Sequence, residues 1–215
     1  MLPPAGQYVI FLSIVTVIVV TPGPNLFLLL GTAPGAGRQI GVAATLGICA
    51  AILSHAALAL VGVGAIIATS AILFTALKVI GAFYLIWMGI RSLLSLRRSG
   101  GLTITAGGGR SAPSISEAFV RGYLTNILNP KPAIFYVAVF PQFLVPHPTG
   151  FYARGAALAL THAAVAMLFY GCVVLAMSGL TRVLLRPAVS RVVKSLSGLA
   201  LILLGGRLLM TRAPT

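Results

Sequence analysis

The sequence predicts an all-α integral membrane protein of six transmembrane helices. They form two inverted three-helix repeats, with helices one and four broken. Three observations lead there. Apolar residues make up 59% of the 215-residue chain and charged residues 7%, with a mean hydropathy of +1.06. A soluble domain carries roughly 25% charged residues, so a water-facing surface cannot be built from this composition. Apolar runs near the length a bilayer requires, about 20 residues, recur six times, and features of the first three runs return in the last three.

Charge narrows the function class. Fifteen Lys and Arg stand against a single acidic residue, Glu117, for a formal net charge of +14. Alone, that balance points to nucleic acid. The apolar composition excludes it, so the expected surroundings are a lipid bilayer and no nucleic acid. No metal or other cofactor is expected, because three His, two Cys and no Asp give no ligand cluster.

Read against their polar punctuation, the spans run over 8–30, 41–66, 72–94, 118–144, 152–178 and 192–210. The first has no basic segment before it and is too long for a signal-peptide core. It carries Thr21-Pro22-Gly23-Pro24-Asn25 deep in apolar sequence. Span two places Ala43, Gly47, Ala50, Ser54 and Ala57 along one stripe, and span five places Gly155, Ala159, Ala163 and Ala166 likewise. Small residues at helical spacing let backbones approach closely in lipid. Span four carries Asn129-Pro130-Lys131-Pro132. The segment 96–117, rich in Gly and Arg, reads as a cytoplasmic linker between a first repeat, 1–95, and a second, 118–215.

The repeat rests on matched positions. Lys78, Gly89 and Arg91 of span three recur as Lys194, Gly205 and Arg207 of span six, each offset by 116. His55 and His162 are offset by 107, and the proline pairs by 108. Three spans per repeat insert the two halves with opposite orientation. Ten of the fifteen cations fall in the connections after spans one, three and five. These are Arg38; Arg91, Arg97, Arg98, Arg110 and Arg121; then Arg182, Arg186, Arg191 and Lys194. The positive-inside rule makes that side cytoplasmic and places both termini in the periplasm.

Each proline removes a backbone donor and clashes with the preceding turn. The freed polar groups cannot face lipid, so they face protein or a wet cavity. Inverted repeats with matching breaks point to a secondary transporter with its site at the midplane between them. Lys131 has no intramembrane carboxylate to pair with, so it is expected in a polar cavity, held by carbonyls freed at the break. It either receives a substrate carboxylate or only stabilises the break. Asn25, Asn126 and Asn129 can donate and accept, so beside the broken helices they are substrate-binding candidates for both ends of a zwitterion, with capping of the half-helices as the alternative. Asn25 is expected to line the site and Asn126 to cap a half-helix. His55 and His162 are proton-coupling candidates, since His changes charge near neutral pH; fixed interhelical hydrogen bonds are the alternative. His147, between two prolines, is expected to be solvated. Cys49 and Cys172 read as small buried core residues. No catalytic signature is present and no enzyme is expected.

These motifs resemble the LysE/RhtB family of bacterial amino-acid exporters. The first half carries Pro22-Gly23-Pro24-Asn25, Gly37-Arg38-Gln39-Ile40-Gly41 with Ala44 and Gly47, and Gly81-Ala82-Phe83-Tyr84-Leu85 closing at Gly89. The second carries Phe119, Gly122, Asn126-Ile127-Leu128-Asn129-Pro130-Lys131, Phe135 and Pro141-Gln142-Phe143. The resemblance implies an inner-membrane carrier that exports amino acids or close derivatives, driven by the proton gradient. It implies that Pro22 to Asn25 and Asn129 to Lys131 form the centre. Substrate choice does not carry over. The composition adds its own expectation: a substrate neutral overall, since a second cation beside Lys131 would be uncompensated in low dielectric. Oligomeric state is left open. The competing readings are a thiol–disulfide relay through Cys49 and Cys172, a metal-ion exporter, and a structural membrane protein.

Overall fold

A computed structural model describes residues 3–69, 71–96, 113–144, 150–176 and 187–210. Most of the expected linker, with Arg97, Arg98 and Arg110, lies outside the described residues, as do His147, Arg182, Arg186, Arg212 and the side chain of Lys78.

The described residues form helices throughout. They are α1 (Ala5–Val20), α2 (Pro24–Ala36), α3 (Arg38–Thr69), α4 (Ala71–Leu94), α5 (Ile115–Ile127), α6 (Pro130–Ile134), a π-helical turn (Phe135–Val139), a 3-10 turn (Phe140–Phe143), α7 (Phe151–Leu175) and α8 (Pro187–Met210). Among the described residues the protein is all-helical, with the apolar composition of a membrane protein. Two stretches, Arg38–Gly62 and Phe151–Leu175, are long and apolar enough to cross a membrane by themselves. The pair Ala5–Val20 and Pro24–Gly31, bent by 47°, makes a third if it is one span. The described helices thus do not reach six spans by length and hydropathy alone. The fourth expected span falls short for a visible reason. Pro130 opens α6 directly after α5, and the π and 3-10 turns then break the helical ladder again at Pro141.

Both expected breaks are present. α1 ends where the Thr21 N–H and hydroxyl both bond the Val17 carbonyl, at 2.9 and 2.5 Å. Pro22 and Pro24 have no N–H to extend the ladder, and Pro24 opens α2. After α5, Asn129 takes extended dihedrals and its Oδ1 accepts the Lys131 N–H at 3.0 Å, an N-cap to α6 with Pro130 at its first position. Sequence reasoning gave the capping role to Asn126, and the structure gives it to Asn129. The Asn129-Pro130 dipeptide carried the signal.

Element boundaries also moved. α5 starts at Ile115, inside the expected linker, because Ser114 and Glu117 form a reciprocal capping box. α8 starts at Pro187, five residues before the expected start of the sixth span.

Packing explains the small residues. α3 lies against α5 and α7, and α4 against α8. A Cβ on Gly47 would fall 2.0 Å from the Phe119 carbonyl oxygen, and one on Gly122 2.0 Å from that of Ala44. Only glycine allows this approach. In the other pair, a Cβ on Gly89 would meet the Gly198 carbonyl oxygen at 2.5 Å and the Ile202 side chain. One on Gly205 would meet the Ala82 oxygen at 2.7 Å and the Ile86 side chain. These two contacts interchange under the 116-residue offset read from the sequence. Gly37 joins α2 to α3 at a φ of 92°, in the left-handed region that favours glycine. Phe11 of α1 packs on Phe135, Phe140 and Phe143, with centroids 5.2 to 6.4 Å apart. The first half thereby closes on the irregular segment of the second.

Candidate functional site

The site is built on the carbonyl end of α1. A helix leaves its last carbonyls without intrahelical partners and its negative dipole end beside them. Val17 O is taken by Thr21, as described. Lys131 Nζ donates to Ile18 O at 3.2 Å and Thr21 O at 2.8 Å. The Tyr170 hydroxyl of α7 donates to Val19 O at 3.3 Å. The chain's single acidic residue, Glu117, is exposed at the start of α5. The Ser114 N–H and hydroxyl hold its carboxyl below the usual range. Lys131 therefore rests on neutral carbonyls.

Lys131 reaches them because of the Asn129 cap, which starts α6 beside the end of α1. Gly23 leaves room for it: a Cβ there would fall 3.0 Å from Lys131 Nζ. Under the 108-residue offset of the proline pairs, Gly23 is the position matching Lys131 in the other half.

Around this link lies a cavity of about 20 Å³, lined by Gly23, Asn25, Asn126, Asn129, Lys131 and His162, with Tyr170 and four apolar neighbours. That volume accommodates about one water molecule, far less than an amino acid, so the breaks are closed on each other. Of the expected site residues, Pro22, Pro24 and Pro130 shape the breaks without lining the cavity. Asn126 is fully buried; its Nδ2 donates to Ile48 O at 2.8 Å, tying α5 to α3. Its Oδ1 and that of Asn25 are buried without a hydrogen-bond partner among the described residues.

The two expected histidines converge on a residue that sequence reading missed. Tyr136, in the π-helical turn, hydrogen-bonds His162 Nδ1 at 3.0 Å. Its ring stacks near-parallel to both imidazoles, at 6.0 Å from His55 and 5.6 Å from His162. His55 Nε2 lies 3.3 Å from the Asn126 carbonyl oxygen. A tyrosine sealed in apolar sequence needs a partner for its hydroxyl, and this was the available signal for Tyr136. Tyr170 offered the same signal.

The remaining motif residues sit at packing contacts and helix joints. Gly47, Gly81 and Gly89 are close-packing points, Gly81 against Ala138. The Gly41 carbonyl accepts the Thr45 hydroxyl at 2.9 Å, and Gly37 and Arg38 form the joint into α3. Cys49 is buried with its Sγ 3.5 Å from Ala163 O, as expected of a core thiol, but Cys172 is exposed. Cys172 lies nine positions beyond Ala163 on α7, about 13.5 Å of helix rise. A bridge needs Cα atoms within about 7 Å, so the geometry opposes a thiol relay.

The chain matches the family model described as LysE type translocator over residues 16–212. It is similar to the leucine efflux protein of Klebsiella pneumoniae, with 30% identity over 204 residues, 94% of each chain. It is also similar to the threonine efflux protein of Escherichia coli K12, 33% identical over 138 residues, 63% of this chain and 66% of that one. The uncharacterized membrane protein YrhP of Bacillus subtilis is 32% identical over 138 residues, 62% of this chain and 66% of that one. The last two matches thus span just under two thirds of the relatives' own length. These matches are to transport and membrane proteins, not to enzymes. No solved structure matches the chain.

Proposed function

The chain belongs to the LysE type translocator family, and from that premise we propose that it exports amino acids, or close derivatives neutral overall, across the bacterial inner membrane. The names of the leucine and threonine efflux relatives support the substrate class. The observation that carries the reading is the Lys131 bridge from the second helix break to the carbonyl end of the first, above a cavity lined by asparagines. One cation without a carboxylate suits a substrate that brings its own carboxylate and adds no net charge.

The membrane arrangement proposed is six spans in two inverted repeats, with both termini periplasmic. The interchangeable glycine contacts of α4 and α8 support the repeat. The cation distribution supports the orientation. Proton drive is proposed to act through His55 and His162, which share Tyr136, or through the substrate amine. Export requires the closed breaks to separate, which is the alternating-access motion of such folds.

The test is metabolite profiling of the medium from cells with and without the protein, and with Lys131→Ala. Neutral amino acids should accumulate outside only with the native chain, at equal membrane insertion of the variant. Selective export of lysine or arginine would remove the neutral-substrate reading, and undiminished export by Lys131→Ala would remove the site.

A further inference from the structure

The cavity holds two buried acceptors, the side-chain oxygens of Asn25 and Asn126, with no hydrogen-bond partner among the described residues. Asn25 is 8% exposed and Asn126 0%. Both side chains line the cavity, and in both the amide oxygen lacks a hydrogen-bond partner among the described residues. For Asn126 the amide orientation is fixed, because Nδ2 donates to Ile48 O; turning it over would set two oxygens against each other. A buried amide oxygen without a donor is costly, and two such oxygens in one cavity mark a place for a group with several donors. The cavity's own cation does not serve them, since Lys131 Nζ is bonded to Ile18 O and Thr21 O.

An ammonium group fits this pattern. It carries three donors and no acceptor, so it can satisfy both amide oxygens. A carboxylate would place oxygen against oxygen. The group that suits a carboxylate is Lys131, whose present partners are neutral carbonyls. A charge-assisted bond is roughly twice as strong as a neutral one, so a carboxylate entering the cavity draws the ammonium of Lys131 off the backbone. We propose that Asn25 Oδ1 and Asn126 Oδ1 form the subsite for the ammonium of a zwitterionic substrate, with Lys131 leaving Ile18 and Thr21 to take its carboxylate. This rests on the export reading and adds which end of the substrate goes where. It also ties binding to opening. The bond that Lys131 gives up is the one joining α6 to the end of α1, so the substrate releases the link between the two breaks as it binds.

The experiment is counterflow of labelled leucine, and separately of threonine, by the full-length protein in proteoliposomes, with analogues as competitors. N-acetyl-leucine keeps the carboxylate and lacks the ammonium; 3-methylbutylamine keeps the ammonium and lacks the carboxylate. Each should require at least about 10-fold more than leucine for half-inhibition, as expected when a charged hydrogen-bonded group is lost. Asn25→Leu should raise the half-saturating leucine concentration by roughly 10- to 100-fold. Asn25→Gln, which keeps a neutral amide oxygen as acceptor, should lose less than Asn25→Leu. The Asn25 pair is used because substituting Asn126 also breaks its bond to Ile48. If leucine counterflows and N-acetyl-leucine competes equally well, or if Asn25→Leu is unchanged, the ammonium subsite is wrong and the export reading stands. If neither leucine nor threonine nor any other neutral amino acid counterflows, the reading and the subsite fall together.

Discussion

Lys131 Nζ donates to the Thr21 carbonyl at 2.8 Å, so one side chain from the second helix break closes the end of the helix before the first. The carbonyls of Ile18 and Val19 are satisfied by the same second half, through Lys131 and Tyr170. The stability of the α1 terminus is therefore a contact between repeats and not a local property of α1. Anything that moves Lys131 moves the junction.

Gly23→Ala tests this directly. The added methyl would sit 3.0 Å from Nζ and 3.4 Å from Cε of Lys131. The ammonium must give way by a few tenths of an ångström, which lengthens its bonds to Ile18 and Thr21. Export per molecule should fall several-fold for Gly23→Ala and be lost for Gly23→Leu, with membrane levels unchanged. Full export by Gly23→Leu in a liposome efflux assay would show that the position of Lys131 is immaterial.

Both breaks were legible in the sequence because proline acts locally: its missing N–H and fixed φ disrupt a helix whatever surrounds it. The apolar runs over α3, α4 and α7 were legible for a similar reason, since lipid demands a continuous apolar stretch. Partner choice was not legible. That Lys131 lands on Ile18 and Thr21, or that His55 and His162 meet on Tyr136, depends on how distant helices pack. The Asn126 assignment failed differently. Its local surroundings suit a cap, yet its side chain is drawn across to Ile48 on α3, and Asn129, directly before a proline, takes the terminus.

Tyr136→Phe should separate hydrogen bonding from stacking between the two histidines. The ring keeps its near-parallel contacts with His55 and His162, while the 3.0 Å bond to His162 Nδ1 is lost. Leaving that nitrogen buried without its partner should cost about 1–3 kcal/mol, read as a lower apparent Tm in detergent. If the pair carries the coupled proton, export driven by a pH gradient should weaken further in a variant with both His55→Gln and His162→Gln, while counterflow without a gradient survives. Undiminished pH-driven export in that double variant would assign the proton to the substrate amine.

The glycines divide into two groups with opposite expected effects. Gly122→Ala would bring a Cβ 2.0 Å from the Ala44 carbonyl oxygen, a backbone atom that cannot rotate away. α3 and α5 must separate, and the cost should match or exceed the 1–3 kcal/mol typical of overpacking. Gly47→Ala presses on the same interface, so the two should combine non-additively. Gly171→Ala, with no atom within 4 Å of the new methyl, should instead be neutral or stabilise α7 by up to about 1 kcal/mol. Thermal unfolding of the three single variants at equal expression decides it. A Gly122→Ala protein as stable as native would mean that α3 and α5 do not pack this closely.

Glu117 gives the α5 start a pH dependence of known sign. Its Oε2 accepts the Ser114 N–H at 2.8 Å, while its own N–H donates to Ser114 Oγ at 3.2 Å. The Ser114 backbone bond is the main cause of its lowered pKa, followed by the Ser114 hydroxyl. With the folded value below the unfolded one, the unfolded chain binds the proton more readily, so this contribution to stability is complete above the usual carboxylate range. It declines as pH falls through the lowered folded value. Hydrogen exchange of the first α5 amides should therefore be slow at neutral pH and accelerate towards acid, relative to the intrinsic exchange rate. Glu117→Gln should flatten that profile, because its side chain accepts a hydrogen bond without titrating. A native profile as flat as the variant's would show that the carboxylate does not hold this terminus.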